Sequence, residues 1–112
     1  MFSITDSVTA AINILSAIDA LETAHARTSA DADMILLSDH EFDLLSEGIV
    51  NARYVLTSHG RPVPAILSLM AIRIASSDGL PRPKVDAVLR DLRAVELLAE
   101  GDTDPPATAI AA

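Results

Sequence analysis

Residues 38–60 read SDHEFDLLSEGIVNARYVLTSHG. Ser38 and Glu41 stand in S-x-x-E spacing: the serine hydroxyl accepts from the amide three residues on, and the glutamate reaches back to the serine amide. Asp39 adds negative charge in the first turn, at the positive end of the helix dipole. Phe42, Leu45, Ile49, Ala52 and Leu56 then recur at steps of three and four, which stacks them on one helical face. Asp43, Glu47, Asn51 and Ser58 take the wet face, and Gly60 supplies a left-handed stop. His59, immediately before that stop, reads as an end-capping residue near the terminal carbonyls. Gly48 lies inside the helix at a penalty of about 1 kcal/mol relative to Ala. With Ala52 it forms a small-x-x-x-small notch, common by chance in soluble proteins but also what a closely approaching helix requires.

Three further helices are expected around this one. Residues 4–28 open with Ser3 and Asp6 in a capping arrangement and carry Ile4, Val8, Ala11, Leu15 and Ile18 at helical spacing. Ile12, Ile14 and Leu21 widen that face, so this helix is expected to bury two sides. Residues 29–38 are read as a connection in which Met34, Ile35, Leu36 and Leu37 pack down. Arg61-Pro62-Val63-Pro64 forces extended backbone before a helix starting at Pro64, a residue suited to the first helical position. That helix is apolar all round (Ile66, Leu67, Leu69, Met70, Ile72, Ile74) and is expected at the centre of the bundle. A fourth helix begins near Pro83 and stops at Gly101, with Val85, Val88, Leu89, Leu92, Val95 and Ala99 inward. No strand pattern competes, so the expected fold is all-α: a compact four-helix bundle-like domain over residues 1–100, with a flexible tail over 101–112.

Composition narrows the function. The 112 residues include 16 acids against 8 bases, no Cys and no Trp, and half are hydrophobic, which fits one small packed domain. Without Cys there is no disulfide, no thiolate catalysis and no Cys-based metal site, a usage that sits most easily with a reducing cytoplasm. The opening MFSITDSV lacks the basic region of a signal peptide, and the apolar run at 63–75 is shorter than the roughly 20 residues of a bilayer span. A soluble cytoplasmic protein is expected. Residues 1–60 hold nine acids and two bases, residues 61–96 four acids and six bases, and residues 97–112 three acids and no base. Such a chain repels phosphate as a whole and is drawn to basic surfaces.

Catalytic constellations find little support. No G-x-S-x-G elbow, Walker loop or dinucleotide glycine pattern occurs, and no cofactor is expected. His25 follows Glu22 in a Glu-x-x-His step, but a di-iron bundle needs a second such step and two more glutamates, so no metal is expected. His40 reads as a solvated first-turn residue between Asp39 and Glu41. From residue 28 to 52 there are six acids and no Lys or Arg. Asp31, Asp33, Asp39, Glu41, Asp43 and Glu47 therefore form a candidate partner-binding surface of one sign, read as solvated, which also serves solubility.

The segment IRIASSDGLPRPKVDAVLRDLRAVELLAEGD, residues 72–102, resembles the later part of winged-helix DNA-binding domains, in which a helix of this pattern follows a turn and leads to a hairpin. The resemblance implies a dimeric transcriptional regulator using the 81–96 helix, with Arg82, Lys84, Arg90 and Arg93 on DNA. It departs from the pattern after Leu98, where an acidic Pro-containing tail replaces the two strands, and Asp86 and Asp91 dilute the helix's positive charge. The favoured expectation is a non-enzymatic protein-binding module, a regulator, adaptor or inhibitor. It would form a homodimer and meet a basic protein partner, with no membrane or nucleic acid.

Overall fold

The computed structural model describes residues 4–68 and 79–103, with side chains described over 8–68 and 79–100. The fold is an all-α, bundle-like arrangement. Its elements run α1 (Ile4–Arg27), β1 (Met34–Leu36), α2 (Asp39–Ser58), a helical turn at 65–68 (α3), β2 (Gly79–Pro81) and α4 (Arg82–Thr103).

Helix α2 forms as its sequence demands. The Ser38 hydroxyl accepts from the Glu41 amide at 3.1 Å, and the Ser38 amide donates to Glu41 Oε1 at 2.8 Å, closing the capping box. Phe42, Leu45, Ile49, Ala52 and Leu56 are all buried. At the other end Gly60 takes φ 66°, its amide donates to Thr57 O and the Arg61 amide to Leu56 O, the paired bonds of a Schellman stop. His59 is the C-cap residue. In α3, Pro64 stands one residue before the helix and its carbonyl accepts from the Leu67 amide at 3.0 Å.

Among the described residues α1 is the helix against which the other two long helices pack, since it runs along both α2 and α4. Its buried side differs from the expected row. Ala10, Ile14, Ala17, Leu21 and Ala24 are buried with Ala11 and Ile18, whereas Val8, Ile12 and Leu15 are exposed. The reason is steric: the alanines let a second backbone come close. At Gly48 of α2 an added Cβ would stand 2.2 Å from Ala17 Cβ and 3.1 Å from Asn13 O, so only glycine permits this approach. The Gly48 notch is thus occupied by α1.

Two further features depart from the sequence reading. Met34–Leu36 pairs antiparallel with Gly79–Pro81, Ile35 opposite Leu80. Ile35 and Leu37 are buried while Met34 and Leu36 point to water, so the stretch alternates as a strand does and only half of it packs down. A three-residue strand is too short for its period to show against the helical background. Gly79 belongs here because a Cβ would meet Ile35 O at 2.9 Å. Helix α4, in turn, passes Gly101 and runs to Thr103, so glycine does not stop it. Val85, Val88, Leu89, Leu92, Val95 and Ala99 are buried as expected. Residues 69–78 of the expected central third helix (64–78), the Ser3 cap and residues 104–112 lie outside the described residues. No helix among the described residues is long and apolar enough to cross a membrane.

Candidate functional site

The capping box that starts α2 also sorts its carboxylates. Turning back onto the Ser38 amide brings Glu41 inward, where it is only 8% exposed. There Arg27, at the end of α1, grips it with a fork: Nη2 donates to Oε1 at 2.7 Å and Nη1 to Oε2 at 3.1 Å. The same Nη2 donates to Leu36 O at 3.0 Å, so one guanidinium ties α1, β1 and α2 together. Hydrogen bonding from Arg27, with the Ser38 amide, holds the Glu41 carboxyl down at about 2 against the opposing effect of burial. Glu41 is therefore not the solvated surface residue expected of it; it is an internal joint.

The other five acids of the candidate surface point to water. Asp31 and Asp33 lie in the turn before β1, Asp39 in the first turn of α2, and Asp43 and Glu47 along its outer face; all five are exposed. None forms a salt bridge among the described residues. The outer face continues beyond the acids. Asp43, Glu47, Val50 and Tyr54 follow at steps of four, three and four, which lines them up along one side of the helix. Val50 is 58% and Tyr54 52% exposed. They border a shallow hollow of ≈ 310 Å³ shared with Arg53, Thr57 and Val63. Val50 and Tyr54 extend the candidate surface beyond its acids, and their step from Glu47 repeats the spacing of the buried row.

The candidate DNA-contacting cations are arranged differently. Arg82 donates from Nε to Ala32 O at 3.1 Å and from Nη2 to Ser29 O at 2.6 Å, and its amide donates to Asp33 O at 2.9 Å. Its Nη1 lies 3.4 Å from His25 Nε2. Arg82 thus clamps the turn that carries Asp31 and Asp33. Arg93 donates to Glu22 Oε2 at 2.8 Å, in an ion pair about half exposed on both sides. His25 Nε2 lies 3.2 Å from Asp86 Oδ1. Arg90 is exposed, 3.6 Å from Asp91, and Lys84 is half-buried. After Leu98 the chain stays helical to Thr103, where a winged-helix domain would turn into strands. His40 is exposed in the first turn of α2.

One buried acid was not anticipated at all. Glu96, on α4, is 8% exposed and its Oε1 has no hydrogen-bond partner among the described residues. Burial, and then the neighbouring Glu100 carboxylate, push its pKa up. No group of three or more His, Asp or Glu side chains that could hold a metal ion occurs among the described residues. Comparison with protein-family models, with curated proteins and with solved structures gives no match to this chain.

Proposed function

We propose that the chain is a non-enzymatic protein-binding module, a regulator, adaptor or inhibitor, that meets a basic protein partner through its acidic side. One observation carries this reading: Asp31, Asp33, Asp39, Asp43 and Glu47 are exposed with no salt bridge among the described residues, while Arg82 and Arg93 are taken up by internal partners. An outward field of one sign speeds encounter with a basic surface and selects against acidic ones. Arg82 supports the same reading by holding the Asp31–Asp33 turn in place.

The test is retention of proteins by immobilised chain and by its Asp39→Lys, Glu47→Lys form across a salt series. Basic proteins held by the first and released by the second, with the salt dependence flattened in the variant, are the expected result. An identical set on both forms sinks the proposal. Duplex DNA serves as the contrasting ligand, because binding at low salt that depends on Arg90 would favour the winged-helix-like alternative. A homodimer in the cytoplasm belongs to the same proposal. The exposed Val8, Ile12 and Leu15 stripe of α1 supports self-association, and light scattering on the purified chain tests it.

A further inference from the structure

We infer that the outer face of α2 receives a cationic amphipathic helix, whose apolar residue seats in the hollow beside Val50, Tyr54 and Val63 while its basic residues lie over Asp43 and Glu47. The inference rests on the acidic-side reading above and adds the shape of the occupant and the placing of its charge. Its footing is the composition of one unbroken stripe. Asp43 and Glu47 form the N-terminal half and Val50 and Tyr54 the C-terminal half, all exposed. From Asp43 to Tyr54 the stripe runs about 16 Å, three turns at 1.5 Å per residue.

A helix fits such a stripe better than an extended segment. Side chains repeating at four, three and four on α2 form a ridge that another helix matches with the same repeat, and two helices packed in this way stay in register over three turns. The charge of the occupant follows from complementarity: the acidic half has no Lys or Arg near it in sequence from residue 28 to 52. An aromatic ring next to a branched aliphatic side chain over a ≈ 310 Å³ hollow supplies the desolvated anchor that charge alone lacks. The order of charge along the occupant follows too. Arg53 borders the hollow, so the basic residues of the occupant belong at the Asp43 end and are repelled from the Tyr54 end.

The experiment titrates the full-length, isotopically labelled chain with two synthetic peptides and follows amide shifts. One peptide of about 14 residues carries leucines at helical spacing with lysines clustered at one end, long enough for the three turns; the other has the same composition scrambled so that no stripe forms. Preference for the patterned peptide by about tenfold, with shifts concentrated on Asp43 to Val63, is expected. Val50→Asp sharpens the result because it adds negative charge while spoiling the anchor, and Val50 is exposed enough to leave the fold intact. Its affinity for the patterned peptide falls about tenfold if the anchor is used. Equal binding of both peptides, weakened alike by Asp43→Lys with Glu47→Lys, overturns the helical occupant yet leaves the acidic-side reading standing. Shifts centred on Val8 to Leu15, or tighter binding by Val50→Asp, overturn it as well. No binding of either peptide overturns this inference, while retention of basic proteins in the test above would still uphold the acidic side.

Discussion

Glu41 and Glu96 are buried to the same depth, 8% exposed each, one at the start of α2 and the other in the C-terminal half of α4. Their surroundings could hardly differ more. Around Glu41 stand a guanidinium fork and a backbone amide, and its pKa falls to about 2. Around Glu96 there is a second carboxylate, Oε1 has no partner among the described residues, and its pKa rises. Burial by itself therefore does not decide whether a charge stabilises this protein; the donors brought to it do. The contrast makes a pH profile the natural instrument, since the two residues must bend it in opposite directions.

A variant that touches neither carboxylate sets the baseline. Gly48→Val puts a branched side chain where even a Cβ would be 2.2 Å from Ala17 Cβ, with α1 backbone close behind it. Neither contact is the far end of a flexible side chain, so the helices must separate. We expect a loss of about 3 kcal/mol or more, the upper range for overpacking, and a larger effect than any of the carboxylate substitutions. Thermal unfolding followed by circular dichroism should show Tm lowered by a similar amount from pH 7 down to pH 3. A loss confined to one end of that range would mean that the seam between α1 and α2 depends on charge after all.

Glu41→Gln comes next. The amide keeps an oxygen for the Ser38 N–H but removes the charge that Arg27 grips, a loss on the order of 1–2 kcal/mol at pH 7. Because the folded-state pKa lies below the ordinary 4.5, the contribution of Glu41 is fully present above that value. It fades as pH falls toward about 2, where the wild-type side chain is itself protonated. The Tm curves of wild type and variant should therefore converge on acidification. Curves that stay parallel to the acid end would assign the effect to packing and remove Arg27 from the explanation.

How much of this could be read from the sequence follows the distance over which each feature is determined. The Ser38–Glu41 box, the Gly60 stop and the Phe42–Leu56 row are set within a few residues, and the spacing alone exposes them. The fork on Glu41 comes from Arg27, 14 residues away, and the clamp on the Asp31–Asp33 turn from Arg82, about 50 residues away. No local pattern marks either pairing. Helix α1 shows a subtler failure: it is apolar on most sides, so periodicity does not single out a face. The alanines that decide the matter, Ala10, Ala17 and Ala24, carry little hydrophobic signal and matter because they are small. Gly48 advertised a notch, but what fills it became visible only with Ala17 in place. The candidate surface was legible in its charge and illegible in its apolar half, because Val50 and Tyr54 look like core residues until the fold leaves them outside.

Glu96→Gln should have a smaller effect than either Gly48→Val or Glu41→Gln and the opposite sign. With the folded-state pKa raised, the ionised carboxylate is disfavoured by folding, so Glu96 is a burden at pH 7 that is relieved as pH falls and the proton returns. Glutamine removes the charge and can donate an N–H to Glu100, which leaves one polar atom, rather than a charged carboxylate, short of partners. A gain of about 1 kcal/mol at pH 7 is expected, near the lower end of what an unsatisfied buried polar group costs. The gain should disappear below the ordinary carboxylate range. Glu100→Gln separates the two causes: it removes the like charge but not the burial of Glu96, so it should recover only part of the gain. If Glu100→Gln matches Glu96→Gln in full, repulsion between the two carboxylates, rather than desolvation of Glu96, is what sets this end of α4 apart from the Glu41 joint.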